Sequence, residues 1–179
     1  METSEKELAQ RAAAGDRLAF DKLVRTNKDM IYASIYRMTG DREATLDLMQ
    51  ETFFAAYRKL PDFRREAKFS SWVYRIAANK TINYLRRKKL ISFIPLAIDP
   101  KTEPAYEMAE PGDAEKLKKA LQEAVLALPP AQRLVFNMRF HEKKKFPEIA
   151  GILGRSESTV KTSYQKAIEK LRKKLKDFR

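Results

Sequence analysis

The side chains able to do chemistry in this sequence are cations, amides and hydroxyls gathered in three stretches, not a nucleophile and its base. With no Cys and one His, His141, a thiol nucleophile, a disulfide framework and a Cys or His metal cage are excluded. Only five Gly are present, and no phosphate loop, glycine fingerprint or nucleophile–base pair is visible, so neither a cofactor nor a reaction centre is expected. An enzyme acting on nucleic acid is the remotest reading.

The first stretch lies near the C-terminus. A short helix over residues 147–153 is followed after only Gly154 and Arg155 by a long one beginning near Ser156. Small Ala150 stands where crossing backbones approach, and Val160 anchors the second helix, the arrangement of a helix-turn-helix. Ser156 is a ready cap, which leaves Ser158, Thr159 and Lys161 in the first turn, where free N–H groups suit a phosphate. Thr162, Ser163, Gln165, Lys166 and Lys170 lie off the apolar stripe and carry the donors that read base edges and grip phosphates.

The second stretch, residues 63–89, has nine basic residues against one acidic, interleaved with Phe63, Phe69, Trp72, Tyr74 and Tyr84. Cations beside aromatic rings hold unstacked bases, at about 1–3 kcal/mol per stacked base, and a reader of duplex alone does not need them. The competing interpretation of Trp72, with Ile76 and Ile82, is plain packing. The third stretch, residues 46–60, sets Asp47, Gln50 and Glu51 on one side of an otherwise apolar helix. That patch repels DNA and suits a basic protein surface.

These stretches must be positioned by helices. Apolar residues recur at three- and four-residue steps from Leu18 to Met38, and Gly40 can stop that helix. Asp41 can cap a second helix that ends before Pro61, and Ser70 can cap a third running into Arg86, Arg87, Lys88 and Lys89. Further on, Leu117, Leu121, Val125 and Leu128 mark a helix stopped by Pro129-Pro130, and another spans residues 132–140. No alternating stretch predicts a strand. The expected class is all-α, in two small helical domains.

Charge places the boundary between them. The net charge of +13 arises from 37 basic and 24 acidic residues, a surplus that attracts a polyanion or an acidic membrane face. It is distributed unevenly: residues 1–95 are net +7, residues 96–115 net −5 and residues 116–179 net +11. The acidic middle, with Pro100, Pro104, Pro111 and Gly112, reads as an extended linker. No apolar run approaches membrane-spanning length and the first residues lack the order of a signal peptide, so a cytoplasmic polyanion is favoured.

Four motifs in order carry a family resemblance: Asp47-Leu48-Met49-Gln50-Glu51-Thr52-Phe53; Phe69-Ser70-Ser71-Trp72-Val73-Tyr74-Arg75-Ile76-Ala77-x-Asn79; Leu128-Pro129-x-x-Gln132-Arg133; and Glu148-Ile149-Ala150 through Thr159-Val160-Lys161. The chain resembles the extracytoplasmic-function sigma factors of bacterial RNA polymerase, a group of the sigma-70 family. The resemblance implies a specificity subunit, not an enzyme, in which Asp47, Leu48, Gln50, Glu51 and Phe53 dock on the clamp helices of the largest polymerase subunit. It implies further that Phe63, Arg64, Arg65, Lys68, Phe69, Ser70, Trp72, Arg75, Asn79, Asn83, Arg86 and Arg87 melt and read the minus-ten element. Arg155, Ser156, Ser158, Thr159, Lys161, Thr162, Gln165 and Lys166 would read the minus-thirty-five duplex, beside a contact with the polymerase flap.

Under the same resemblance residues 1–95 form sigma region 2, 116–179 form region 4, and the acidic linker threads the polymerase toward its RNA exit path. An anti-sigma protein is a further implied partner. Relatives commonly have Ala-Glu where Thr45-Leu46 stands here, Arg where Ser163 stands and Asp where Asn83 stands, so docking strength and promoter sequence are this chain's own. The rival reading from the residues alone is a free-standing helix-turn-helix regulator that dimerises on palindromic duplex sites.

Overall fold

The computed structural model describes residues 4–63, 68–92 and 113–176; Arg64, Arg65 and residues 96–112 of the expected 96–115 linker lie outside them. Among the described residues there are eight α-helices and no strand. The first, α1 (Glu5–Ala13), starts at Ser4, whose hydroxyl accepts the Glu7 N–H at 3.2 Å. Sequence periodicity does not announce α1, because its buried contribution is only Leu8, Ala9 and Ala12.

Helix α2 (Arg17–Thr39) is capped by the Asp16 carboxylate and closed by Gly40 at φ 66°, a left-handed conformation that glycine adopts without steric cost. Its expected apolar face is in place: Phe20, Leu23, Ile31, Ile35 and Met38 are buried. Helix α3 (Arg42–Lys59) follows directly, with Asp41 as its cap, and a 3₁₀ turn over Leu60–Asp62 carries Pro61 where the helix must stop.

Helix α4 (Phe69–Ser92) departs from expectation at its start. Ser70 does not cap it; Ser70 lies inside the first turn and is itself held by α1. Glu5 Oε1 accepts the Ser70 backbone N–H at 2.7 Å, and Oε2 accepts the Ser70 hydroxyl at 3.3 Å. A carboxylate supplied from 65 residues away thus satisfies a free N–H group at the positive end of the helix.

The C-terminal half comprises α5 (Asp113–Leu126), α6 (Pro130–Phe140), α7 (Phe146–Leu153) and α8 (Glu157–Lys174). Pro130 opens α6, where a missing N–H costs nothing. Gly154 at φ 61° makes the turn between α7 and α8, and Ser156 caps α8 by accepting the Thr159 N–H at 3.2 Å. The helix-turn-helix expected from the spacing is therefore present.

One apolar core spans both halves. Leu134, Val135 and Met138 of α6, Ile149 and Ala150 of α7 and Val160 of α8 pack into the cluster that α1 to α4 form. A smaller cluster joins Val125, Leu128, Phe136, Ala167 and Leu171 beneath α5 and α8. Helix α6 is consequently enclosed on nearly every side, with Arg133 and Asn137 buried alongside its apolar residues.

Candidate nucleic-acid and protein interfaces

Helix α4 buries one face and presents the other as a ladder. Val73, Tyr74, Ala77, Ala78, Thr81 and Ile82 point inward, while Arg75, Asn79, Asn83, Arg86 and Arg87 are exposed. Spacings of four, four and three or four residues put those five on a single stripe. Among the described residues neither the Asn79 nor the Asn83 side chain makes a hydrogen bond, so both side-chain amides remain open to a ligand edge.

The aromatic residues at the head of α4 sort differently. Phe69, expected to wall a base pocket, is only 1% exposed and packs edge-on to Phe20 at 6.5 Å. Burial removes it from any contact surface, and Ser70 is occupied by Glu5 as described. Trp72 is half-buried, with the Phe63 ring at 4.9 Å and the Phe69 ring at 5.7 Å. Trp72 and Phe63 therefore form the accessible edge of a packed aromatic cluster, and Lys68 is exposed beside them.

On α8 the polar residues stand clear of the core as the pattern predicts. Arg155, Ser156, Ser158, Thr159, Lys161, Thr162, Gln165 and Lys166 are all exposed, whereas Val160, Ala167 and Leu171 are buried. Ser156 also ties to the Thr159 hydroxyl at 2.7 Å and the Ser158 hydroxyl at 3.0 Å. Lys161 pairs with Glu157 one turn earlier at 2.7 Å; Lys161 is exposed and Glu157 only partly buried, so a phosphate can displace the carboxylate at little cost.

Helix α3 shows which expected contacts survive folding. Asp47, Gln50 and Glu51 are exposed, but Leu48 and Phe53 face the core at 5% and 9% exposure. Those two cannot dock a partner. The exposed aromatic is the next residue, Phe54, at 63%, with the Arg58 guanidinium 5.9 Å from its ring centre. Leu46 is exposed as well. Residues 47, 50, 51, 54 and 58 share a helical stripe, a signal sufficient to find Phe54 from spacing alone. Glu51 reaches across to Lys80 of α4 at 2.8 Å.

The two halves are joined by polar contacts that no sequence motif indicated. Arg133 donates to the carbonyls of Met38, Leu126 and Leu128, uniting the C-terminal ends of α2 and α5. Burial pushes its guanidinium down to about 10, still charged at neutral pH. Asn137 donates to the Arg37 carbonyl at 3.2 Å. Tyr74 donates to Glu142 Oε1 at 2.6 Å and accepts from the Ser34 hydroxyl at 2.9 Å. Burial first, and the neighbouring Glu142 charge second, hold the Tyr74 phenol well above its ordinary value of 10.

Residues 23–91 match the family model of sigma-70 region 2, and residues 118–171 that of sigma-70 region 4. The chain is 34% identical over 187 residues to the ECF RNA polymerase sigma factor SigW of Bacillus subtilis (strain 168), covering 99% of this chain and all of SigW. The chain belongs to the ECF RNA polymerase sigma factors. SigM of Mycobacterium tuberculosis (strain ATCC 25618 / H37Rv) is 31% identical over 170 residues, covering 95% of this chain and 84% of that one. Among solved structures, CnrH in complex with the cytosolic domain of CnrY has a similar fold, with a TM-score of 0.68 and 25% identity over 97% of each chain.

As a sigma factor this protein is a specificity subunit that directs promoter-specific initiation by core RNA polymerase. The rival of a free-standing regulator is not favoured, since sigma region 2 occupies the half such a regulator would give to sensing. No helix among the described residues is long and apolar enough to cross a membrane.

Proposed function

We propose a division of labour for this sigma factor in which three exposed faces meet three ligands. The α3 face of Asp47 and Gln50, extended by Leu46 and Phe54, docks on the clamp helices of the largest polymerase subunit. The α4 stripe of Arg75, Asn79, Asn83, Arg86 and Arg87, with Trp72 and Phe63 at its head, opens and reads the minus-ten element. The α8 face from Arg155 to Lys166 reads the minus-thirty-five duplex in the major groove. Residues 1–95 and 116–179 then act as separate promoter-reading units on either side of the acidic linker, and the work is done in the cytoplasm. CnrH is in complex with the cytosolic domain of CnrY, and a protein of the anti-sigma kind is the partner we propose for this chain.

The observation that carries this reading is the α4 stripe: two open amides one turn apart between arginines, on a helix whose other face is locked into the core. Cations supply strength that falls with salt, while amides supply discrimination. Permanganate reactivity of promoter thymines tests it, with core polymerase and either wild type or Asn79→Ala plus Asn83→Ala. Wild type should open the minus-ten region, and the folded double variant should lose about 1–3 kcal/mol of preference at single positions. Unchanged opening and base preference in that variant would remove the amides from the reading face.

A further inference from the structure

The helix that carries the minus-ten stripe starts from a residue that cannot cap it. The Lys68 carbonyl accepts the Trp72 N–H at 3.1 Å, which makes Lys68 the residue from which α4 begins. A lysine side chain has donors only, so it cannot take a free N–H of the first turn, and its charge stands at the positive end of the helix. The first turn holds no acidic residue either. Other helices meet the same need locally: Ser4, Asp16, Asp41 and Ser156 cap α1, α2, α3 and α8 with their own side chains. Helix α4 instead takes its acceptor from Glu5 of α1.

The same short helix holds the chain on the other side of the aromatic cluster. Helix α1 packs against the 3₁₀ turn Leu60–Asp62 that leads into Phe63, and it is seated by Leu8, Ala9 and Ala12, which are buried in the core shared with α2 to α4. Its Glu5 carboxylate grips Ser70 twice, through the backbone N–H at 2.7 Å and the hydroxyl at 3.3 Å. Phe63 directly follows the first of these fixed points, and Trp72 closely follows the second. Their rings, 4.9 Å apart, are thus aligned from α1 on both sides.

We propose that Glu5 is a positioning residue for minus-ten reading: it caps α4 in place of Lys68, which leaves Lys68 as an exposed cation for phosphate while the Trp72 edge is held in register. The proposal rests on the minus-ten reading above for its ligand, but the cap itself is measurable in the free chain. Asn79 and Asn83 stand more than two turns further along α4, out of reach of a frayed first turn. Loss of Glu5 should therefore impair opening and leave base preference at the positions those amides read.

Trp72 is the only tryptophan, so its emission in the full-length chain reports the head of α4, and amide exchange at Ser70 reports the cap. Glu5→Ala should shift that emission to longer wavelength and speed Ser70 exchange about tenfold, the loss of one charge-assisted hydrogen bond, with exchange from Val73 to Ile82 unchanged. Glu5→Gln keeps an acceptor oxygen and should speed exchange about threefold; it serves if Glu5→Ala does not fold. Adding Lys68→Ser to Glu5→Ala gives α4 a cap of its own and should restore both signals. With core polymerase, Glu5→Ala should lower permanganate reactivity of minus-ten thymines about tenfold, at unchanged affinity for core. Folded Glu5 variants with wild-type emission and exchange, a failure of Lys68→Ser to restore them, or an equal loss of core binding would overturn the proposal. Promoter DNA left unopened by the wild type would instead sink the minus-ten reading, while the free-chain signals would still decide the cap.

Discussion

Two adjacent phenylalanines on α3 give opposite expectations, and the contrast tests where polymerase docks. Phe53 is 9% exposed and Phe54 63% exposed. Removing Phe53 empties a core site shared with α2 and α4, so Phe53→Ala should cost about 3–5 kcal/mol of stability. At about 2–4 °C per kcal/mol for a chain of this size, the thermal midpoint should fall by about 10 °C. Phe54→Ala removes only a surface ring and its weak contact with Arg58, so stability should change by less than about 1 kcal/mol.

Binding reverses the order. A phenylalanine presents roughly 200 Å², so about 125 Å² of Phe54 remains for a partner to cover. At 25 cal/mol/Å² that is about 3 kcal/mol as an upper figure, and a central interface aromatic commonly yields about 2. Phe54→Ala should therefore weaken binding to core polymerase about 30-fold. Surface-immobilised core titrated with each variant, alongside thermal unfolding, separates the two effects. A folded Phe54→Ala protein that binds core with wild-type affinity would refute docking through this face. A stable Phe53→Ala protein impaired only in binding would refute the burial argument.

Gly154→Ala should lose about 1–2 kcal/mol from the left-handed φ of 61° and displace Arg75 from its seat; adding Arg75→Ala should recover the steric part in thermal melts and leave the backbone part. Arg133→Met should orphan the carbonyls that end α2 and α5, lowering stability in urea by about 2–4 kcal/mol. For Tyr74, the folded value lies above the unfolded value of 10, so its contribution is complete below pH 10 and is lost as pH rises through the folded value. Urea midpoints between pH 9 and 11 should therefore fall more steeply for wild type than for Tyr74→Phe.

Much of the fold was legible because its signals are local. Asp41, Gly40, Pro61, the Pro129-Pro130 pair, Gly154 and Ser156 each act within a turn of where they stand, and helix boundaries follow from them. The α8 face was legible for the same reason: residues off a 3.6-residue apolar stripe stay out of the core wherever the helix packs. Motif membership misled at Leu48, Phe53 and Phe69, where a residue's place in a family signature was taken as exposure. Helical phase settles the first two, because residues 44, 45, 48, 52, 53 and 56 are the buried stripe of α3. For Phe69 no local rule suffices, since its burial depends on Phe20, Phe63 and Trp72 meeting it in space.

The contacts between distant helices are illegible for a physical reason as well. Glu5 reaches Ser70, Ser34 reaches Tyr74, Tyr74 reaches Glu142, and Arg133 reaches Met38, spans of 40 to 95 residues. No local rule in the sequence pairs any of these residues with its partner. Their burial follows only when two amphipathic halves, each short of partners for its own apolar face, cover one another.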